Sequence, residues 1–144
     1  MSQALFLLSD QVFDTAKLRQ ELLATSSGAY VSFEGWVRDH HAGQAVSSLS
    51  YHAHPLLALS EGEQVMQDAL RQFGINNARC VHRVGALQLS ELAVWVGVSA
   101  GHREAAFAAT RFIIDEIKAR VPIWKHEHYA ETPSQWLHQN PALS

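Results

Sequence analysis

The stretch Leu92-Ala-Val-Trp-Val-Gly-Val98, followed at once by Ser99-Ala-Gly-His-Arg103, decides the fold. Valine, leucine and tryptophan dominate the first part, no charge interrupts it, and it is far too short to span a bilayer. It predicts a central, well-buried strand. Beyond Gly101 the period changes: Phe107, Thr110, Ile114, Ile117 and Val121 recur every three or four residues, and Glu104, Arg111, Asp115 and Lys118 share the opposite face. That pattern predicts an amphipathic helix starting near Gly101. Pro122 ends it, because proline disfavours helical geometry at Val121 and donates no N–H, so Pro122-Ile-Trp-Lys125 leaves extended. The turn allows Lys125 to re-approach Lys118.

The rest of the chain reads outward from this unit. Asp14 is a good N-cap, with Phe13 before it able to staple onto Leu18, for a helix over about 14–24 carrying Leu18 and Leu22 on one face. Ala29 to Val37 alternates as a half-buried strand does, with Val31 and Phe33 opposite Ser32 and Glu34. A polar loop, Asp39–Gly43, leads to a weaker strand around Val46 to His52, which Pro55 ends. Leu59, Met66, Leu70 and Phe73 then recur at helical spacing up to Gly74, a good C′ residue. Short strands follow at Arg79–Val84 and Leu87–Leu89, punctuated by Gly85. The apolar run at the N-terminus has no Lys or Arg before it and no credible cleavage site, so it reads as a first strand. The expected architecture is α+β, one domain over residues 1–144 with a mixed or antiparallel sheet and about three helices.

Composition narrows the function classes. A formal net charge of -3 over 144 residues leaves no basic stripe of the kind that nucleic-acid binding requires. One cysteine, Cys80, excludes an intramolecular disulfide and suits a reducing, cytoplasmic setting. Cys80 alternates within a strand without a C-x-x-C partner, as a buried structural thiol does.

Several residues carry candidate chemistry, each beside a plainer reading. At Ser99–Arg103 free backbone N–H groups, the positive end of a helix dipole, an imidazole and a guanidinium converge on a possible phosphate or carboxylate site; His102 and Arg103 fit an exposed first turn as simply. Arg38 either turns its fork to that anion or is a solvated strand-end arginine. Lys118 and Lys125 either form a pair or are a helix-end lysine plus an unrelated surface lysine. As a pair ~7 Å apart, at an effective dielectric of ~20, they would repel by about 2.4 kcal/mol, which favours loss of one proton unless Glu127 offsets it. His52-x-His54 and His126-x-His128 invite a metal reading, but no third ligand stands at fixed spacing and no metal is expected. Trp36, Trp95 and Trp124 read as core or interface, with Trp36 beside Arg38 and Trp124 beside Lys125 able to wall a pocket.

The order of the blocks says more than any one of them. F-E-G-W-V-R (33 to 38), V-H-R-V-G (81 to 85), V-G-V-S-A-G-H-R-E-A-A-F (96 to 107) and K-A-R-V-P-I-W-K-H-E (118 to 127) together resemble the large, catalytic subunits of molybdopterin synthase. The resemblance implies an α/β-hammerhead-type fold and a sulfurtransferase of molybdenum cofactor biosynthesis. It implies a homodimer of large subunits, with a small ubiquitin-like sulfur carrier ending in Gly-Gly at each end of a heterotetramer. Sulfur would pass from the carrier's thiocarboxylate to cyclic pyranopterin monophosphate, in two rounds, with no bound cofactor. Carried over by motif, Lys118 and Lys125 are catalytic. Trp36, Val37, Arg38, His102, Arg103, Lys118, Lys125, His126 and Glu127 bind substrate, in a pocket able to draw on both large subunits. Two segments depart from the family's usual pattern: His52-Ala-His-Pro-Leu-Leu57, where an E-H-Y-P-G-M-like segment is common, and His126, where Arg or Lys is usual. A non-catalytic module of the same fold, holding a carrier tail or a phosphorylated ligand, is the rival reading.

Overall fold

The computed structural model describes residues 3–130 and 132–138; the outer limits of the expected domain, residues 1 and 144, lie outside the described residues. Its first sheet has the order β1 (Phe6–Ser9), β5 (Asn77–Arg83), β7 (Leu92–Ala100), β2 (Ala29–Trp36). Strand β1 runs parallel to β5, and the other pairings are antiparallel. The expectation for Leu92–Val98 holds: β7 is an interior strand, buried at every residue from Ala93 to Ala100. One face of this sheet packs against α2 (Pro55–Phe73) and α3 (Arg103–Arg120), and α1 (Thr15–Glu21) contacts β7.

The second sheet has the order β3 (His40–His41), β4 (Gln44–Ala53), β8 (Ile123–Tyr129), β9 (Gln135–His138), with β6 (Gly85–Leu87) also paired to β4. Residues 39–43 are therefore more than a loop. Ala42 and Gly43 both take positive φ, 51° and 78°, the geometry of a two-residue turn that matches strand twist, and it pairs His41 with Gln44. The second of the two expected short strands spans Gly85–Leu87, two residues before the expected Leu87–Leu89.

The three expected helices are present, and the expected Met66, Thr110, Ile117 and Val121 are buried, but small residues fill much of the buried stripes of α2 and α3. Buried positions are Ala58, Gly62, Val65, Met66 and Ala69 in α2, and Ala106, Ala109, Thr110, Ile113 and Ile117 in α3. Small residues let these helices approach each other and the sheet closely: a Cβ on Gly62 would stand 2.2 Å from the Phe6 ring. Leu59 and Phe107 are left outside, Phe107 at 61% exposure. Val121 is extended, φ -82° and ψ 128°, as a residue before proline should be. Among the described residues no helix is long and apolar enough to cross a membrane.

Candidate functional site

Where the two sheets meet, a cavity of about 310 Å³ opens between the end of β2, the β3–β4 hairpin, the last turn of α3 and β8. Its wall includes Phe33, Trp36, Val37, Arg38, His41, Tyr51, Lys118, Lys125 and Glu127. Lys118 is exposed on the polar side of α3, close to the helix C-terminus, where the dipole favours a cation. Arg120 fixes that end by donating to Asp68 of α2 at 2.9 Å. Pro122 releases the chain into β8, whose alternation turns Ile123, Lys125 and Glu127 inward and Trp124, His126 and His128 outward. Register places Lys125 opposite Tyr51 and Glu127 opposite Leu49.

Glu127 is the electrostatic centre of the cavity. It is 2% exposed, and its Oε1 accepts from Lys125 Nζ at 2.8 Å. His41 Nδ1 lies 2.9 Å from Oε1 and 3.0 Å from Oε2. Burial alone would push this carboxyl up. Hydrogen bonds from Lys125, His41 and Tyr129 outweigh it and hold the carboxyl below its ordinary range, so Glu127 is an anion. The counter-charge that the sequence allowed for is therefore in place, on Lys125. Burial, and then the Glu127 charge, push the Tyr51 phenol up to about 12, which keeps it protonated.

The structure gathers some of the expected residues and separates others. Trp36, Val37, Arg38, Lys118, Lys125 and Glu127 share the cavity. Val37 is buried, and Trp36 is 66% exposed with its indole N–H donating to Glu34. His102 and Arg103 do not join them within one chain. They line a separate depression with Gly28, Ala29, Gly101 and Glu104, and 15 residues of rigid α3, ~22 Å at 1.5 Å per residue, lie between Arg103 and Lys118. His126 is also outside the cavity: it faces the other side of the sheet, stacked on Trp136 at 4.4 Å and 15°. His52 meets the same indole edge-on at 4.7 Å, and His128 lies 4.6 Å from His126. These imidazoles pack on aromatic rings, and among the described residues no three His, Cys, Asp or Glu side chains gather as a metal site. Cys80 is fully buried, and burial pushes its thiol up, as expected of a structural cysteine.

Sequence reasoning passed over His41 and Tyr51. Neither stands in a motif with the lysines; only the β4–β8 register and the two-residue hairpin bring them to Glu127.

Comparison with known proteins places the chain in a family. Residues 8–120 match the family model described as MoaE protein. A molybdopterin synthase catalytic subunit of Pyrococcus abyssi is 43% identical over 104 residues, 72% of this chain and 70% of that protein. The crystal structure of molybdopterin synthase from Staphylococcus aureus superposes with a TM-score of 0.82 at 32% identity, covering 94% of this chain and 97% of that one. A complex of subunits 1 and 2 of molybdopterin-converting factor from Helicobacter pylori shares the fold, with a TM-score of 0.73 at 21% identity over 90% of this chain and 88% of that one. Two fungal relatives, from Aspergillus fumigatus and Emericella nidulans, are longer: the matched stretch spans 59% and 60% of their length.

Proposed function

Because the chain belongs to the MoaE protein family, we propose that it is the catalytic subunit of a molybdopterin synthase. It transfers sulfur from the C-terminal thiocarboxylate of a small carrier to cyclic pyranopterin monophosphate, twice, to make the dithiolene of molybdopterin in the cytoplasm. The observation that carries this reading is the cavity in which Lys118 and Lys125, from different elements, stand with Arg38. A thiocarboxylate tail is anionic and slender, and a cavity of about 310 Å³ rimmed by three cations suits its end together with the reacting part of the substrate. Lys118 acts closest to the thiocarboxylate and the substrate carbon, as acid/base or transient nucleophile. Lys125, tied to Glu127, supplies fixed positive charge to the developing anion.

The remaining anion-binding groups come from a second copy. Strand β2 is an edge of its sheet, with Ser32, Phe33 and Glu34 exposed, and α3 beside it presents Phe107, Arg111 and Lys118 on its exposed side. An unpaired edge next to an exposed aromatic ring is a self-pairing surface. Strand and helix run side by side for similar lengths, ~26 Å for eight strand residues and ~27 Å for 18 helical ones. A single two-fold axis near Ser32 and Arg111 therefore serves both elements. It carries the His102–Arg103 end of one α3 towards the Lys118 end of the other, which supports a homodimer with sites built from both chains.

The deciding experiment combines purified protein, a thiocarboxylated carrier and cyclic pyranopterin monophosphate, with molybdopterin as the readout. Wild type forms it, and Lys118→Ala forms at least about 100-fold less. Near wild-type product from Lys118→Ala removes Lys118 from its assigned role.

A further inference from the structure

His41 shares with Lys125 the same carboxylate partner, Glu127. It sits in β3, where the Ala42–Gly43 turn folds it back over Glu127, with its side chain 32% exposed towards the cavity. Its Nδ1 reaches both Glu127 oxygens, at 2.9 and 3.0 Å, while Lys125 Nζ reaches one of them at 2.8 Å. A neutral imidazole with its proton on Nδ1 and an imidazolium both donate to that carboxylate, so the contact survives a change of charge on the ring. What the charge alters is how much of the carboxylate's field remains for the ammonium. With His41 neutral, Lys125 is the only charged hydrogen-bonding partner of Glu127 among the described residues; with His41 charged, two cations share one anion.

We propose that His41 is a positioning residue of sulfur transfer: through Glu127 it fixes where Lys125 stands and how tightly its ammonium is bound. The inference rests on the reading that Lys125 acts on the substrate. It adds that the hairpin at 40–45, with no motif of its own, is part of the catalytic apparatus. The charged and titratable groups that face His41 are Glu127, Lys125 and Tyr129 from β8, Tyr51 from β4, Lys118 from α3, and Arg38, Asp39 and His40 from the chain leading into β3. Asp39 is committed to the His40 imidazole at 2.9 Å. Glu127 is thus the anion through which a change on His41 is felt at Lys125.

The test compares turnover of wild type, His41→Ala, His41→Asn, Lys125→Ala and the double variant His41→Ala/Lys125→Ala with carrier and substrate saturating and limiting. His41→Ala is expected to lose about 10- to 100-fold in kcat, with KM within about twofold of wild type, because the lysine is misplaced rather than the substrate released. His41→Asn keeps an N–H for Glu127 and recovers most of the rate. His41→Ala adds nothing in the Lys125→Ala background. Wild-type kcat in His41→Ala, beside an impaired Lys125→Ala, overturns the proposal; so do additive effects in the double variant, or a His41→Asn rate no better than that of His41→Ala. If His41→Ala does not fold, a His41→Asn kcat as low as that of Lys125→Ala overturns it. A fully active Lys125→Ala overturns instead the parent reading of Lys125, so the two failures are told apart.

Discussion

His82 stands one side chain behind the cavity wall, its ring edge-on to Tyr51 at 4.8 Å and its Nδ1 paired with the Arg83 carbonyl at 2.7 Å. Burial, helped by the nearby Lys118 charge and opposed by that carbonyl, pulls its pKa from 6.5 down to about 4. The unfolded chain therefore binds a proton here before the folded one does. The stability that His82 contributes is fully present above about pH 6.5 and is lost as pH falls towards 4, by up to about 3 kcal/mol. Urea unfolding at pH 7 and pH 5 should show this loss in wild type and a smaller one in His82→Phe; equal losses refute the assignment. Gly97 makes a second prediction at this scale. A Cβ there would meet the Trp95 ring at 2.4 Å and Leu22 at 2.9 Å, so Gly97→Ala should cost about 1–3 kcal/mol, read as a lower Tm. The residues most legible in the sequence were those with a local signature: Lys118 on a polar helix face, Lys125 after Pro122, and the unpaired Cys80. His41 and Tyr51 were not legible, because their roles depend on which residue faces which across two strands. His126 misled for a related reason, since strand parity turns it away from its neighbours Lys125 and Glu127.

Among the elements, α1 is short and its start rests on one residue. The Asp14 carboxylate accepts from Ala16 N–H at 3.0 Å and Lys17 N–H at 3.3 Å. Asp14→Ala should destabilise the protein by about 1 kcal/mol while Asp14→Asn costs little, a difference that thermal denaturation measures. This cap, the Gly74 terminus of α2 and the Pro122 stop were all visible beforehand, because capping chemistry lies within a few residues. The buried faces of α2 and α3 were visible in part: Met66, Thr110, Ile117 and Val121 are buried as expected, Leu59 and Phe107 are not. Periodicity counts large apolar side chains, whereas these two helices bury alanine and glycine and turn Leu59 and Phe107 outward. The misreading is informative, since a large aromatic residue displaced from the core next to an edge strand marks a surface awaiting a partner.

For the whole molecule, the proposed homodimer divides the site between copies. Each chain carries a lysine half, at the C-terminal end of its α3, and an anion half, at the N-terminal end of the same helix. Rigid α3 keeps the halves ~22 Å apart within a chain, while the proposed two-fold axis near Arg111 would bring unlike halves together between chains. Lys118→Ala and Arg103→Ala homodimers then each carry two defective sites, but a mixed dimer carries one site with both defects and one with neither. Unfolding the two inactive variants together and refolding them as a mixture should restore up to about a quarter of wild-type molybdopterin formation, since half the dimers are mixed and half their sites intact. A Phe107→Glu substitution in both variants, which charges the shared face, should abolish the recovery and shift the protein to monomer in sedimentation. Mixing that yields no more than the two parents would place His102 and Arg103 outside the reacting site, and would leave the lysine cavity to work with the cations of a single chain.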